Sequence, residues 1–263
     1  MKDSIDRLFG KPAFMPYVCC GDPDGEGTVA MVNALAENGA DAIELGIPFS
    51  DPMADGRSIQ GASRRALEAG MTPAGALAIL SRLRKGGLRI PVFIMTYYNI
   101  VYSNGVEKFT GLAAESGADG FIIPDLPPEE AGEMEAACRK SGLALVRFIT
   151  PNCDKERLKR ISKGASGFLY AVSAYGTTGA RDGVSEDALR LIGRAGDEGS
   201  LPIVIGFGIS GPEQAKAYVK AGASGVIVGS RLVELRREGG LEAVADFSRA
   251  IASAISAGAR ERI

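Results

Sequence analysis

The chain contains no histidine and no tryptophan. The missing imidazole removes Ser-His-Asp and Cys-His triads, zinc sites built on imidazole, and histidine general acid–base catalysis. Any proton transfer near neutral pH then falls to a carboxylate, Tyr, Lys or Cys with a shifted pKa. Cysteine is scarce as well. Cys19, Cys20, Cys138 and Cys153 form no C-x-x-C pair and read as reduced, buried thiols. No apolar run approaches the roughly 18–20 residues of a membrane span, and Met1-Lys2-Asp3-Ser4 opens no signal-peptide core. A soluble cytoplasmic protein is therefore expected. Neither sign of charge dominates, with 30 Lys+Arg against 32 Asp+Glu, so electrostatics gives no reason to expect nucleic acid. No cluster has metal-ligand spacing, and no metal is expected.

Glycine, by contrast, is plentiful at 35 of 263 residues, and part of it repeats. Gly39-Ala40-Asp41-Ala42, Gly117-Ala118-Asp119-Gly120, Gly164-Ala165-Ser166-Gly167 and Gly222-Ala223-Ser224-Gly225 each close an amphipathic stretch and open an apolar run. The pattern predicts a helix ended by a left-handed glycine, a short turn, then a buried strand. Eight apolar runs occur, at 15–20, 42–47, 90–97, 120–124, 144–149, 167–172, 202–207 and 225–229. They are short and nearly continuous rather than alternating, as in strands covered on both faces.

Helical patterns lie between them. Val29, Val32, Leu35 and Ala36 share a face over 26–38, and a long loop plus a helix at 62–84 fill the widest gap. Ser210 before Pro212 and Glu213, and Ser185 before Ala188, read as helix N-caps. The alternation predicts a (β/α)8 TIM barrel as a single catalytic domain over 1–263, with extra helices at 1–10 and 241–260. A doubly wound open sheet is the runner-up, weakened by the lack of G-x-G-x-x-G after the first strand.

A barrel carries its active site at the C-terminal ends of its strands. At the second of these, period two puts Ile43, Leu45 and Ile47 toward the helices and leaves Ala42, Glu44 and Gly46 inside. Glu44 is then either satisfied by an interior Arg or Tyr, or a general acid–base whose pKa burial raises toward neutrality. Asp51 and Asp55 follow in Asp51-Pro52-Met53-Ala54-Asp55-Gly56; both suit a turn, and one is a candidate second carboxylate.

Gly206-Phe207-Gly208-Ile209-Ser210 and Val228-Gly229-Ser230 each feed a helix start. Such backbone-amide nests at strands seven and eight form the usual phosphate site of a barrel, although tight turns alone also account for the glycines. The loop 176–183 reads as a lid or as an ordinary surface loop. Tyr17, Phe49, Tyr97, Tyr98, Tyr170 and Phe207 gather at strand ends, which suggests a pocket for a flat apolar group. Asp125 ends the fourth strand in a structural, catalytic or interface role.

Taken in order, Glu44-Leu45-Gly46-Ile47-Pro48-Phe49-Ser50-Asp51-Pro52-Met53-Ala54-Asp55-Gly56, Tyr97-Tyr98-Asn99, Pro124-Asp125-Leu126-Pro127, Thr178-Gly179 and Gly206-Phe207-Gly208-Ile209-Ser210 closely resemble the signature of the tryptophan synthase alpha chain family. The matches span residues 14–233. The resemblance implies a barrel lyase that cleaves indole-3-glycerol phosphate to indole and glyceraldehyde 3-phosphate. It implies Glu44 as the acid–base at indole carbon 3 and the glycerol hydroxyl, and Asp55 as the group that holds the indole N–H. It places Gly179, Gly208, Gly229 and Ser230 at the phosphate, and Tyr17, Tyr97, Tyr170, Thr178 and Phe207 around the substrate. It further implies no cofactor in this chain and a pyridoxal-phosphate beta chain that receives indole in an alpha2-beta2 heterotetramer. Arg57, Arg231, Ala174 and Tyr175 depart from the usual pattern. Two other readings compete: a phosphosugar isomerase or epimerase barrel, and a silent barrel that binds phosphate and activates a partner.

Overall fold

All eight apolar runs become parallel strands, and the eighth pairs with the first to close a ring. The computed structural model describes residues 5, 7–172, 184–198, 201–206 and 208–262. The strands are β1 (Ala13–Cys19), β2 (Ile43–Gly46), β3 (Val92–Met95), β4 (Gly120–Ile122), β5 (Ala144–Ile149), β6 (Leu169–Val172), β7 (Ile203–Gly206) and β8 (Gly225–Val228). Sequential neighbours pair all the way round, which excludes the open doubly wound sheet.

Ten α-helices and one 3-10 turn (Pro128–Glu130) are bounded among the described residues: α1 (Gly25–Glu37), α2 (Arg57–Glu68), α3 (Pro73–Lys85), α4 (Tyr98–Ser103), α5 (Val106–Glu115), α6 (Gly132–Ser141), α7 (Lys155–Gly164), α8 (Glu186–Glu198), α9 (Pro212–Lys220) and α10 (Ser230–Arg260). None is long and apolar enough to cross a membrane.

Two apolar layers result, because successive side chains on a strand point to opposite faces. Outward residues such as Phe14, Val18, Ile43, Leu45, Ile94 and Val226 pack under the helices. Inward residues such as Met15, Tyr17, Phe93, Ile122, Phe168 and Ile227 fill the barrel. The ring is thus a packed core and not a pore.

The fourfold repeat has a structural meaning at the bottom of the barrel. Gly39, Gly117 and Gly222 take positive φ just past the C-caps of α1, α5 and α9, as the helix-ending pattern requires. In the copy at 164–167 the left-handed residue is Gly167, while Gly164 remains in α7. The third residue of each copy then accepts a backbone N–H from the odd-numbered strand next door. Asp41 takes Phe14 N–H at 3.0 Å, Asp119 takes Val92 at 2.9 Å, Ser166 takes Leu145 at 2.8 Å and Ser224 takes Ile203 at 3.3 Å. Each copy satisfies a donor that the start of the ladder leaves open.

Helix boundaries differ from expectation in places. The stretch expected as a loop plus one helix at 62–84 holds two, α2 and α3, because Gly70 at φ 83° ends the first and Thr72-Pro73 starts the second. The extra helix expected at 241–260 is the far part of α10, which bends at Gly240 (φ 68°). Ser185 caps α8 through Ala188 N–H. Gly211, and not Ser210, is the N-cap of α9; the Ser210 hydroxyl reaches Gln214 instead.

Candidate active site

Glu44 is the second residue of β2, in register with Tyr17 on β1 and Phe93 on β3. Ile43 and Leu45 on either side belong to the layer under the helices, so Glu44 stands inside the barrel. It is 2% exposed, and no described residue hydrogen-bonds its Oε2. A carboxylate in that setting loses its hydration without compensation, which favours the proton-bearing form. Burial, and after it the nearby charge of Asp55, pushes the Glu44 carboxyl up to about 8. Of the alternative partners, no Arg is among the groups that shift Glu44, while Tyr17 and Tyr170 lie near enough for its charge to act on their hydroxyls.

The β2–α2 loop separates its two aspartates. Asp51 is exposed and accepts from the Ser50 hydroxyl, a turn-forming role. Asp55 is 6% exposed. Its N–H donates to the Pro52 carbonyl, and its own carbonyl accepts from Gln60. Gly56 then starts α2. The carboxylate accepts a 3.1 Å hydrogen bond from the Tyr97 hydroxyl. Burial raises the Asp55 carboxyl to about 6, against a smaller lowering by Tyr97. The two acids therefore hold their protons to different extents.

Aromatic rings line the same rim. Tyr17 and Tyr170 are buried and face inward, and burial raises both hydroxyls well above their ordinary range. Their rings occupy space left open by Gly46 and Gly206, where any Cβ would overlap the phenol. Tyr97 stacks on Phe49 at 5.0 Å. Tyr98 leans on Tyr102 instead, away from this group. Phe148 stacks on Tyr170 at 4.7 Å and was overlooked in the sequence. Its signal was available, since Ala144, Val146 and Phe148 alternate inward along β5. Asp125 caps α4 by accepting Tyr98 N–H at 2.9 Å, which gives it a structural task.

Across the rim, β7 and β8 deliver Gly208, Gly229 and Ser230 to two adjacent helix starts. The N-caps of α9 and α10 are Gly211 and Gly229, so no side-chain oxygen occupies the first-turn amides from the cap position. Such a pair of starts offers N–H groups and favourable dipoles to an anion. Arg231 pairs with Glu234 and Glu238 along α10, and Arg57 is exposed. Thr178, Gly179 and Phe207 lie outside the described residues, as do the 176–183 loop, Ala174 and Tyr175.

A closed barrel with one proton-holding carboxyl, one more acidic carboxyl and two glycine-capped helix starts on its C-terminal rim fits an acid–base enzyme of the (β/α)8 class. The family model described as tryptophan synthase alpha chain matches residues 6–256. The tryptophan synthase alpha chain of Methanothermobacter thermautotrophicus is 46% identical over 223 residues, covering 85% of this chain and 82% of its own length. That of Natronomonas pharaonis is 43% identical over 97% and 95% of the two lengths. Among solved structures, the fold is similar to tryptophan synthase from Mycobacterium tuberculosis, with a TM-score of 0.89 and 35% identity over 96% of both chains. The Legionella pneumophila tryptophan synthase subunit alpha gives 0.88 and 35% over 97% and 98%. The chain belongs to the tryptophan synthase alpha chain family. It is a lyase of tryptophan biosynthesis that acts on indole-3-glycerol phosphate.

Proposed function

We propose that Glu44 and Asp55 carry the cleavage of indole-3-glycerol phosphate between them, within one catalytic domain formed by the whole chain. The observation that supports this most directly is the buried Glu44 carboxyl with an unpartnered oxygen, pushed up to about 8, beside an Asp55 at about 6. Near pH 7 this pair has one proton to give and one negative charge to offer.

In the reaction Glu44 donates its proton to indole carbon 3, and positive charge develops on the indole nitrogen. The Asp55 carboxylate stabilises that charge and holds the N–H. Glu44, now ionised, takes the proton of the glycerol hydroxyl on the carbon joined to the ring. The oxygen lone pair forms the aldehyde C=O as the carbon–carbon bond breaks, and that bond's electrons restore the ring double bond. One proton is delivered and one returned, so Glu44 ends as it began. Gly179, Gly208, Gly229 and Ser230 bind the phosphate. Tyr17, Tyr97, Tyr170, Thr178 and Phe207 surround the indole and glycerol portions.

The partner is a tryptophan synthase beta chain in an alpha2-beta2 heterotetramer, with pyridoxal phosphate held by the beta chain and no cofactor in this one. Support comes from family membership and from Met53 and Tyr102, which stand 84% and 67% exposed on elements leaving the catalytic rim. The compartment is the cytoplasm. An indole-release assay with and without a beta chain tests the reading. Glu44→Gln should abolish release while leaving the fold and phosphate binding intact. Near-wild-type turnover would remove Glu44 from the mechanism.

A further inference from the structure

Tyr97 connects two neighbours on the loop that carries the second acid. Its hydroxyl donates to Asp55 Oδ2 at 3.1 Å and accepts from the backbone N–H of Ala54 at 3.0 Å. One phenol oxygen thus grips a side chain and the adjoining main chain together. The ring cannot swing freely, because Phe49 stacks on it at 5.0 Å. Its backbone is held too: Tyr97 is the N-cap of α4, and Asp125 accepts the next N–H, that of Tyr98, at 2.9 Å. Three segments therefore fix this residue: the β2–α2 loop through Phe49, Ala54 and Asp55, the start of α4, and the stretch after β4 through Asp125.

We infer that Tyr97, besides bordering the substrate, is a positioning residue that sets the orientation of Asp55 for the reaction. This rests on the reading of Asp55 as the group that stabilises charge on the indole ring. A carboxylate that must meet one N–H needs its second oxygen tied elsewhere, since a freely rotating carboxylate loses the geometry on which electrostatic stabilisation depends. The Tyr97 hydroxyl supplies that tie, and its bond to Ala54 stops the loop from carrying the acid away. The same bond favours the ionised form of Asp55. The other titratable groups that act with Asp55 are Glu44 from β2, Tyr17 and Cys19 from β1, and Tyr170 from β6.

The test is Tyr97→Phe, which keeps the ring and its stack and removes only the oxygen. In steady-state cleavage of indole-3-glycerol phosphate by the complex with the beta chain, kcat should fall by roughly 10- to 100-fold with KM within about threefold. The acidic limb of the rate profile should move to higher pH. Combined with Asp55→Asn, the second substitution should cost little more than Asp55→Asn alone, since both remove one unit of function. A rise confined to KM, or an unmoved acidic limb with full kcat, overturns the inference and leaves Tyr97 a substrate contact only or a bystander. A titration of the Asp55 carboxyl carbon by NMR, with the signal assigned by its loss in Asp55→Asn, separates this from failure of the wider reading. If Asp55→Asn turns over normally, the role of Asp55 falls. The tie to Tyr97 then stands only if Tyr97→Phe still raises the Asp55 titration midpoint, and an unchanged midpoint overturns it.

Discussion

The ring of Tyr17 fills the space above Gly46 on the neighbouring strand, and a methyl group on Gly46 would overlap its hydroxyl and two of its ring carbons. Tyr170 and Gly206 repeat the arrangement across the barrel. Two inward positions are thus given up to glycine so that two phenols can lie over the acids. Gly46→Ala should destabilise the fold by about 1–3 kcal/mol through overpacking and depress cleavage by displacing Tyr17. Urea unfolding and the indole-release assay check both effects; an unchanged midpoint with unchanged kcat would show that the Tyr17 ring moves aside at no cost.

The two acids predict the shape of the rate profile. On the proposed mechanism cleavage uses Asp55 ionised and Glu44 protonated, and their carboxyls lie at about 6 and about 8. Activity should rise with pH through the lower value and fall through the upper one, as two macroscopic steps of a coupled pair. A profile of kcat/KM from pH 5 to 9.5 reports the acids of the free enzyme and measures this directly. A rate that keeps climbing past pH 9 would mean that no protonated carboxyl is required.

The same shifts act on stability, with a definite sign. Both acids have folded pKa values above their ordinary values of 4.5 and 3.8. At these two groups the folded state binds protons more tightly than the unfolded chain, so their contribution to stability is fullest at low pH and is lost as pH rises toward 8. Glu44→Gln removes the larger of the two contributions. Its urea midpoint should therefore fall less between pH 5 and 8.5 than that of the wild-type protein, other groups cancelling in the comparison. Parallel curves would show that burying Glu44 costs the ionised protein nothing.

A second buried charge lies outside the site. Arg147 interrupts the outward face of β5 between Leu145 and Ile149; it is 3% exposed and pairs with Glu135 of α6 at 2.6 Å. Glu135→Leu should cost about 3–5 kcal/mol by leaving the guanidinium uncompensated, whereas Glu135→Leu with Arg147→Leu should recover most of that loss. Chemical denaturation of the two variants decides it. Equal losses would mean that the pair itself, and not the stranded charge, carries the stability.

Much of this was legible in the residue order, for identifiable reasons. Strands buried on both faces leave continuous apolar runs, so all eight were found within a few residues of their ends. The inward side of β2 followed from period two, and with no histidine in the chain a carboxylate was the natural proton carrier. Arg147 escaped notice inside an apolar run because the run was read as one block, and Phe148 escaped with it. The choice between Asp51 and Asp55 could not be made from turn chemistry, which suits both equally.

What the sequence by itself determined is the class of each segment and the inventory of chemistry. Helix ends follow from local glycine and proline geometry, and strand faces from alternation, and both act over a few residues of chain. Tertiary structure alone decided protonation and orientation. Closing the ring buried Glu44 with no partner for its Oε2, raised Asp55 while Tyr97, 42 residues further along, held it, and turned Asp125 to a helix start. Desolvation and hydrogen bonding depend on which groups meet in space, and that is set by the packing of segments far apart in the chain.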